Sequence, residues 1–166
     1  MTISLNARLD EQVRIISATS LGSDWTTATY VSMKNYRRLT IVADMLGSGG
    51  AVGGGAVTLL QAKTVAAGSA KALAFTRCLY AVDLLATQLE ASVALTELAV
   101  TSNTFTIPTT ASKRVRYVLE IDSDSLDIES GFDCVRFVST ALTGGTGHVN
   151  YILWGARYSA ASCMID

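Results

Sequence analysis

An acidic run at residues 122–133 holds the side chains best suited to binding a cation. Hard cations such as Ca²⁺ prefer carboxylate oxygens, and the run supplies five carboxylates: Asp122, Asp124, Asp127, Glu129 and Asp133. An EF-hand loop starting at Asp122 would place Leu126 at a ligand position and Asp127 where the turn needs glycine. The spacing therefore fails, and we expect a solvated turn between two strands, with an irregular cation site as the alternative.

Acid–base catalysis has one natural candidate, because His148 is the only histidine. It stands at the start of an apolar segment, and the sequence contains no Gly-x-Ser-x-Gly nucleophile elbow to accompany it. Paired carboxylates for glycoside hydrolysis could come from the acidic run, but a sequence does not fix their separation. We expect a core or structural role for His148, no catalytic residue, and a protein that is not an enzyme.

A glycine-rich run at residues 47–55 contains six glycines. A phosphate-binding loop requires a Lys-Ser/Thr pair that opens a helix, whereas the run here leads into the strand-like residues 56–62. We therefore predict a flexible hairpin loop, which could become ordered against a neighbouring subunit, and no nucleotide cofactor.

The cysteines argue against a metal site or a disulfide framework. Cys78, Cys134 and Cys163 are odd in number and far apart, whereas structural zinc needs about four ligands in close pairs. We expect buried or incidental free thiols in a reducing compartment, and no bound metal.

Aromatic side chains could build a sugar-binding platform. Trp25, Trp154 and six tyrosines are available, and exposed aromatic rings commonly line such grooves. Trp154 lies within the apolar segment 151–154, where packing in a core or an interface is the simpler use. A carbohydrate-binding β-sandwich remains an alternative on these grounds.

The composition points to a surface that other subunits cover. Hydrophobic residues make up 49% and charged residues 16%, against a usual charged share of about 25%. Residues 45–62, 98–112 and 141–156 carry no Asp, Glu, Lys or Arg. A lone soluble domain keeps a charged, mixed surface, so this pattern favours an assembly component over an enzyme.

Charge and hydropathy exclude several partners. The formal net charge is -1, and we assign the two small basic groups, Lys34/Arg37/Arg38 and Lys113/Arg114/Arg116, to solvated strand ends and turns. We therefore expect neither nucleic acid nor an anionic membrane as a partner. No run of about 18 apolar residues is present, and the N-terminal residues do not follow the pattern of a signal peptide.

Alternating apolar and polar residues, separated by turns, predict an all-β protein. The expected architecture is an antiparallel, jelly-roll-like β-sandwich over residues 25–166, preceded by an arm or edge segment at residues 1–24. Helix and strand both remain open for residues 80–95. About eight strands are predicted, at residues 25–33, 38–46, 56–62, 72–81, 98–107, 114–122, 132–140 and 148–158.

The order of segments resembles a group of small tailed-phage virion proteins that includes capsid decoration, or cement, proteins. The similarity runs from residues 30–41 through the glycine-rich run and residues 56–62 to residues 117–122, 126–127, 131–132 and 156–158. The resemblance implies homo-oligomers, often trimers, on the outer face of a major-capsid lattice, and it carries over no catalytic residue. In that setting residues 1–24 would form an arm that reaches a neighbour.

Composition and resemblance together predict a virion protein that decorates and stabilises a phage capsid, assembled in the bacterial host cytoplasm. Its expected partners are its own copies and the major capsid protein. Another virion position, in the tail, neck or fibre base, is the first alternative, and a carbohydrate-binding module is the second.

Overall fold

The computed structural model describes residues 13–21, 30–46, 56–82, 95–106, 114–139 and 146–156. Within them lie two short 3-10 helices, at Ser123–Ser125 and Ile128–Ser130, and no helix long and apolar enough to cross a membrane. The strands in the same residues are β1 (Val13–Leu21), β2 (Val31–Ser32), β3 (Tyr36–Leu46), β4 (Ala56–Ala62), β5 (Lys71–Ala72), β6 (Arg77–Val82), β7 (Thr96–Ala99), β8 (Thr104–Thr106), β9 (Arg114–Asp122), β10 (Cys134–Ser139) and β11 (Thr146–Ala156).

The strands form two antiparallel sheets. The larger sheet has the order β1-β11-β3-β9-β6-β7, and the smaller has the order β2-β10-β4-β5, with β8 also paired to β4. Strand β1 pairs with β11, β2 with β10, β3 with β9, and β4 with β8. The chain therefore folds as a long antiparallel ribbon wrapped around a core, which is the arrangement of a jelly roll. The predicted antiparallel β-sandwich is confirmed.

Two predicted strands are each divided between the sheets. Residues 72–81 begin as β5 in the smaller sheet and continue as β6 in the larger one, and buried Leu73 and Phe75 make the crossing. Residues 98–107 return from β7 to β8, with Val100 buried on the way. The apolar residues Leu73, Phe75 and Leu79 keep one alternation through the first crossing, so the sequence pattern does not reveal that change of sheet. At the second crossing the polar residues 101–104 interrupt the alternation.

The structure also bears on the predictions for the N-terminal segment and for residues 80–95. Residues 13–21 of the predicted arm or edge segment form β1, an edge strand of the larger sheet. Residues 80–82 belong to β6. Several predictions fall outside the described residues: those on residues 1–12, 25–29, 47–55 and 83–94, and on Lys113 and Cys163.

The core lies between the facing sides of the two sheets. Strand β9 shows the alternation clearly, since Val115, Tyr117, Leu119 and Ile121 are buried while the residues between them are half-buried or exposed. Each large apolar side chain removed from water contributes roughly 1.5–3 kcal/mol. Tyr151 of β11 also joins the two sheets, because its hydroxyl accepts a hydrogen bond of 3.1 Å from the backbone N–H of Phe137 in β10.

Candidate functional site

The candidate catalytic histidine lies in a structural hydrogen-bond row. Half-buried His148 stands 3.0 Å through Nε2 from Oδ1 of Asn150, and the same oxygen accepts from Oγ of Ser17 at 2.6 Å. An amide oxygen only accepts hydrogen bonds, so Nε2 must carry the proton it donates there. The hydroxyl proton of Ser17 is thus directed at Asn150 and not at the imidazole.

The acidic run folds into two 3-10 turns joined to the smaller sheet by Asp127. Its carboxylate pairs with Lys71 and accepts from the backbone N–H of Ser130, while its own N–H donates to Oε1 of buried Gln61 at 3.1 Å. The contact with Lys71, followed by that with Ser130, lowers the pKa of Asp127. Lys71 also lies 4.0 Å from the ring centroid of Phe132, at a distance suited to a cation–π contact.

These contacts make the acidic run a structural clamp. In the described part of the chain, no three His, Cys, Asp or Glu side chains converge as metal ligands would. The two described cysteines, Cys78 and Cys134, are both buried. Burial raises the pKa of the Cys78 thiol to about 12, which makes it a poor nucleophile at neutral pH.

The best candidate for a binding surface is the outer face of the larger sheet, which points away from the smaller sheet. Five apolar side chains form a continuous row across it, which we call the apolar stripe. In strand register Ile15 lies opposite Ile152, Val42 opposite Val118, and Val118 opposite Leu79. Ile152 and Val42 are diagonal neighbours, since their partners are Thr40 and Asn150.

The stripe is wide and open to solvent. It crosses the adjacent strands β1, β11, β3, β9 and β6, which spans about 19 Å at roughly 4.8 Å per strand. Ile15 is 63% exposed, and the other four side chains are half-buried by their neighbours in the sheet. An antiparallel sheet with one wet face normally carries polar residues there, so a row of aliphatic residues calls for another explanation.

Ion pairs border the stripe on both sides. At one end of the strands Arg116 binds Asp44 through two hydrogen bonds, of 2.8 and 3.1 Å. At the other end Nε of Arg38 lies 3.0 Å from Oδ1 of Asp122. Each of these two pairs neutralises itself, and exposed Glu120, opposite Thr40 in the register, adds one carboxylate to the polar rim around the apolar centre.

Trp154 adjoins the stripe at its Arg38 end and lines a cleft. The sequence favoured core or interface packing for Trp154. The residue is 40% exposed, which excludes the core but not an interface, and its Nε1–H donates to Oγ1 of Thr40 at 3.1 Å. The cleft has a volume of about 950 Å³. Among its lining residues are Arg37, Arg38, Asp122, Ser125, Trp154 and Gly155. Trp25 lies outside the described residues.

Neither the stripe nor the cleft was identified from the sequence. Each stripe residue had been placed within a predicted strand or arm, but the row exists only through the pairing of five strands that are distant in sequence. The basic residues Arg37 and Arg38 were assigned to a solvated strand end, and both are exposed. Their association with Asp122 and Trp154 likewise depends on strand register.

Comparisons with known proteins give one weak likeness. No family model matches the sequence, and no curated protein matches it. Among solved structures, the chain is similar to the crystal structure of the SPBc2 prophage-derived protein YomS, at 13% sequence identity and a TM-score of 0.40, over 92% of this chain and 98% of that one. So low a TM-score leaves the function to be argued from the surfaces of this chain.

Proposed function

We propose that this chain is a non-enzymatic structural protein of a tailed-phage virion that decorates and stabilises the capsid. In this proposal it forms homo-oligomers, with a trimer as the expected state, seated on the major-capsid lattice. The apolar stripe is the surface that packs against the major capsid protein. The stripe is also the observation that carries the proposal.

The outer face has the make-up of a protein–protein interface. Specific interfaces have an apolar centre that loses all contact with water, and a polar rim that remains partly wet. Here the stripe supplies the centre, and the pairs Arg116–Asp44 and Arg38–Asp122 supply the rim. The shortage of charge along the chain supports the same use, since a surface that is covered in the assembled particle does not need charge to stay dispersed.

The self-neutralised rim argues for a protein neighbour rather than nucleic acid. A surface that binds a phosphate backbone presents unpaired Lys and Arg, because release of counterions drives that association. On the outer face the arginines of both border pairs are already matched to carboxylates. A neutral, flat protein surface is the better complement.

In this proposal many copies of the chain stabilise the capsid through small contacts that are repeated over the lattice. Burial of apolar surface contributes roughly 25 cal/mol per Å², so one stripe alone gives a modest affinity. Copies linked in an oligomer bind a symmetric lattice at several points at once, which raises the effective affinity without new kinds of contact. A shell reinforced in this way would resist pressure from packaged DNA.

The direct test mixes the purified full chain with capsids that lack decoration and sediments the particles. We expect saturable binding to the capsids and an oligomer when the chain is centrifuged alone. A compact monomer that leaves capsids unoccupied would contradict the proposal. Recovery of the protein in a tail or neck fraction of the virion would favour that alternative position and overturn the capsid assignment.

A pair of matched variants tests the role of the stripe. Ile15→Asp places a carboxylate on the stripe, and Val65→Asp places one on a 48%-exposed position in the turn after β4. Burial of an unpaired carboxylate is costly, so Ile15→Asp should weaken capsid binding by about tenfold or more. Val65→Asp should bind like the parent chain.

A second stripe variant guards against misfolding. Val118→Thr keeps the shape and the β-branched character that suit a strand, and it should weaken binding less than Ile15→Asp. Melting temperatures near that of the parent would show that both variants fold. If both bound capsids as the parent does, the stripe would not be the docking surface.

A further inference from the structure

The cleft beside the stripe has the size and position of a ligand site. It is bounded by the start of β3, the end of β9 with the 3-10 turn that follows, and the end of β11. Its volume of about 950 Å³ lies within the range of roughly 300–1,000 Å³ that is usual for small-molecule sites. The virion role proposed above makes no use of it.

One wall of the cleft is an aromatic platform held in place. Trp154 donates its indole N–H to Thr40, so its single polar group is already satisfied and its ring is oriented. The exposed remainder of the ring is an apolar surface with a negative π-face. Such a face attracts the slightly positive C–H groups that line one side of a sugar ring.

A bound sugar also needs hydrogen-bond partners for its hydroxyl groups, and Arg38 and Asp122 can provide them. Their contact joins Nε to Oδ1 at 3.0 Å, and both side chains are more than half exposed, at 58% and 63%. The two Nη groups of Arg38 and the second oxygen of Asp122 can therefore face a ligand. Neighbouring hydroxyl groups on a sugar each donate and accept, which suits an adjacent donor and acceptor.

The backbone keeps the floor of the cleft open at Gly155. Its φ of +63° is a conformation that L side chains rarely adopt. A Cβ there would also lie 3.6 Å from the Cβ of Arg37. The left-handed backbone at this position favours glycine, and the turn follows Trp154 directly in the wall of the cleft.

The balance of charged groups that line the cleft indicates which class of ligand it binds. The guanidinium groups of Arg37 and Arg38 are matched in number by the carboxylates of Asp122 and Asp124, which all line the cleft. A site for phosphate or nucleic acid would carry a clear excess of positive charge. From the platform, the paired polar groups and this balance, we propose that the cleft binds a short neutral oligosaccharide, with a sugar ring stacked on Trp154 and hydroxyl groups bound by Arg38 and Asp122.

Tryptophan fluorescence provides the test. In a Trp25→Phe background the emission reports on Trp154 alone, because the chain has two tryptophans. The full chain is titrated with neutral oligosaccharides of glucose, galactose, mannose and N-acetylglucosamine. We expect a saturable change in emission with at least one of them, and no response to a matched concentration of inorganic phosphate.

Variants measured by calorimetry separate stacking from hydrogen bonding. Trp154→Ala should weaken binding by about tenfold or more, since loss of a stacked ring costs on the order of 1.4 kcal/mol. Asp122→Asn should weaken it by a few-fold with little change in melting temperature, and Val65→Ala should have no effect. Ile15→Asp should bind sugar normally, because it alters the stripe and not the cleft.

Two outcomes would overturn the proposal. One is the absence of saturable binding across the whole sugar panel by both methods. The other is equal affinity of Trp154→Ala and Val65→Ala for a sugar that does bind. The titrations use the isolated chain, so neither outcome depends on whether capsids are bound.

Discussion

The two faces of the larger sheet use the same strands for different purposes. On the inner face Leu39, Ile41, Leu119 and Leu153 are each at most 1% exposed. On the outer face, one residue along the same strands, the aliphatic side chains remain partly in water. The inner residues are required by the fold, because no sandwich forms without a dry interior. The fold does not require the outer aliphatic residues, and we therefore propose that they contact a partner protein.

The two faces should differ most in how much stability is lost when a leucine is replaced by alanine. Leu119→Ala removes a buried inner side chain and should lower the free energy of unfolding by about 2–5 kcal/mol. Leu79→Ala, on the stripe, should lower it by about 1 kcal/mol or less, since that side chain is already half in water. Urea denaturation of both variants measures the difference. Equal losses would erase the distinction between the faces.

Alkaline pH should act through the inner face. Burial raises the pKa of Cys78 from 9.0 to about 12 and that of Tyr151 from 10.0 to about 12. Both groups are neutral when folded, so their contribution is complete below the unfolded pKa values and is lost as the pH rises toward 12. For Tyr151 alone this is roughly 2 to 3 kcal/mol. Unfolding measured from about pH 8 to 12 should show that decline, and a flat profile would contradict it.

Two buried tyrosines of the inner face provide a matched pair. Tyr151→Phe removes the acceptor for the N–H of Phe137 and should destabilise the fold by about 1–3 kcal/mol. The hydroxyl of Tyr117 is buried and has no hydrogen-bond partner among the described residues, so Tyr117→Phe should be neutral or slightly stabilising. Thermal unfolding distinguishes them. A larger loss for Tyr117→Phe would show that its hydroxyl has a partner.

The smallest effects should come from the rim of the outer face. Arg116 and Asp44 share two hydrogen bonds, with side chains 41% and 21% exposed, and this contact with Asp44 raises the pKa of Arg116. Asp44→Asn should cost about 1 kcal/mol, whereas Asp122→Asn, in the more exposed pair, should cost only a few tenths. Denaturation at low and high salt would test this order. A reversed order would mean that the Arg38–Asp122 end holds the sheet together.

The parts of the fold that depend on local pattern were predictable. Strand β4 has the predicted bounds and so does β9, because each alternates apolar and polar residues between clear turns. The acidic run was predicted to be a turn, and it is one. Its role as a clamp was not predictable, since Gln61 and Asp127 are distant in sequence and meet only after β4 and β10 pair.

The candidate sites depend on register, which a single sequence does not reveal. Val42 and Val118 look like ordinary alternate residues of two strands, and only their pairing makes them part of one row. The exposure of Trp154 is also not evident from the sequence. Its apolar neighbourhood favoured core or interface packing without deciding between them, and only the structure places Trp154 outside the core, with the indole N–H bonded to Thr40.

The pairing of β1 with β11 has a consequence for how the protein is made. Among the eleven strands of the described residues, the ribosome produces β1 first and β11 last. These two strands nevertheless lie side by side, in register from Val13–Trp154 to Leu21–Thr146. Strand β3 also pairs with β11, so this pairing cannot form until β11 has been synthesised. Contacts between segments so distant in sequence form slowly. The larger sheet can therefore close only after synthesis has passed β11, and until then the nascent chain exposes unpaired strand edges that a chaperone would need to shield.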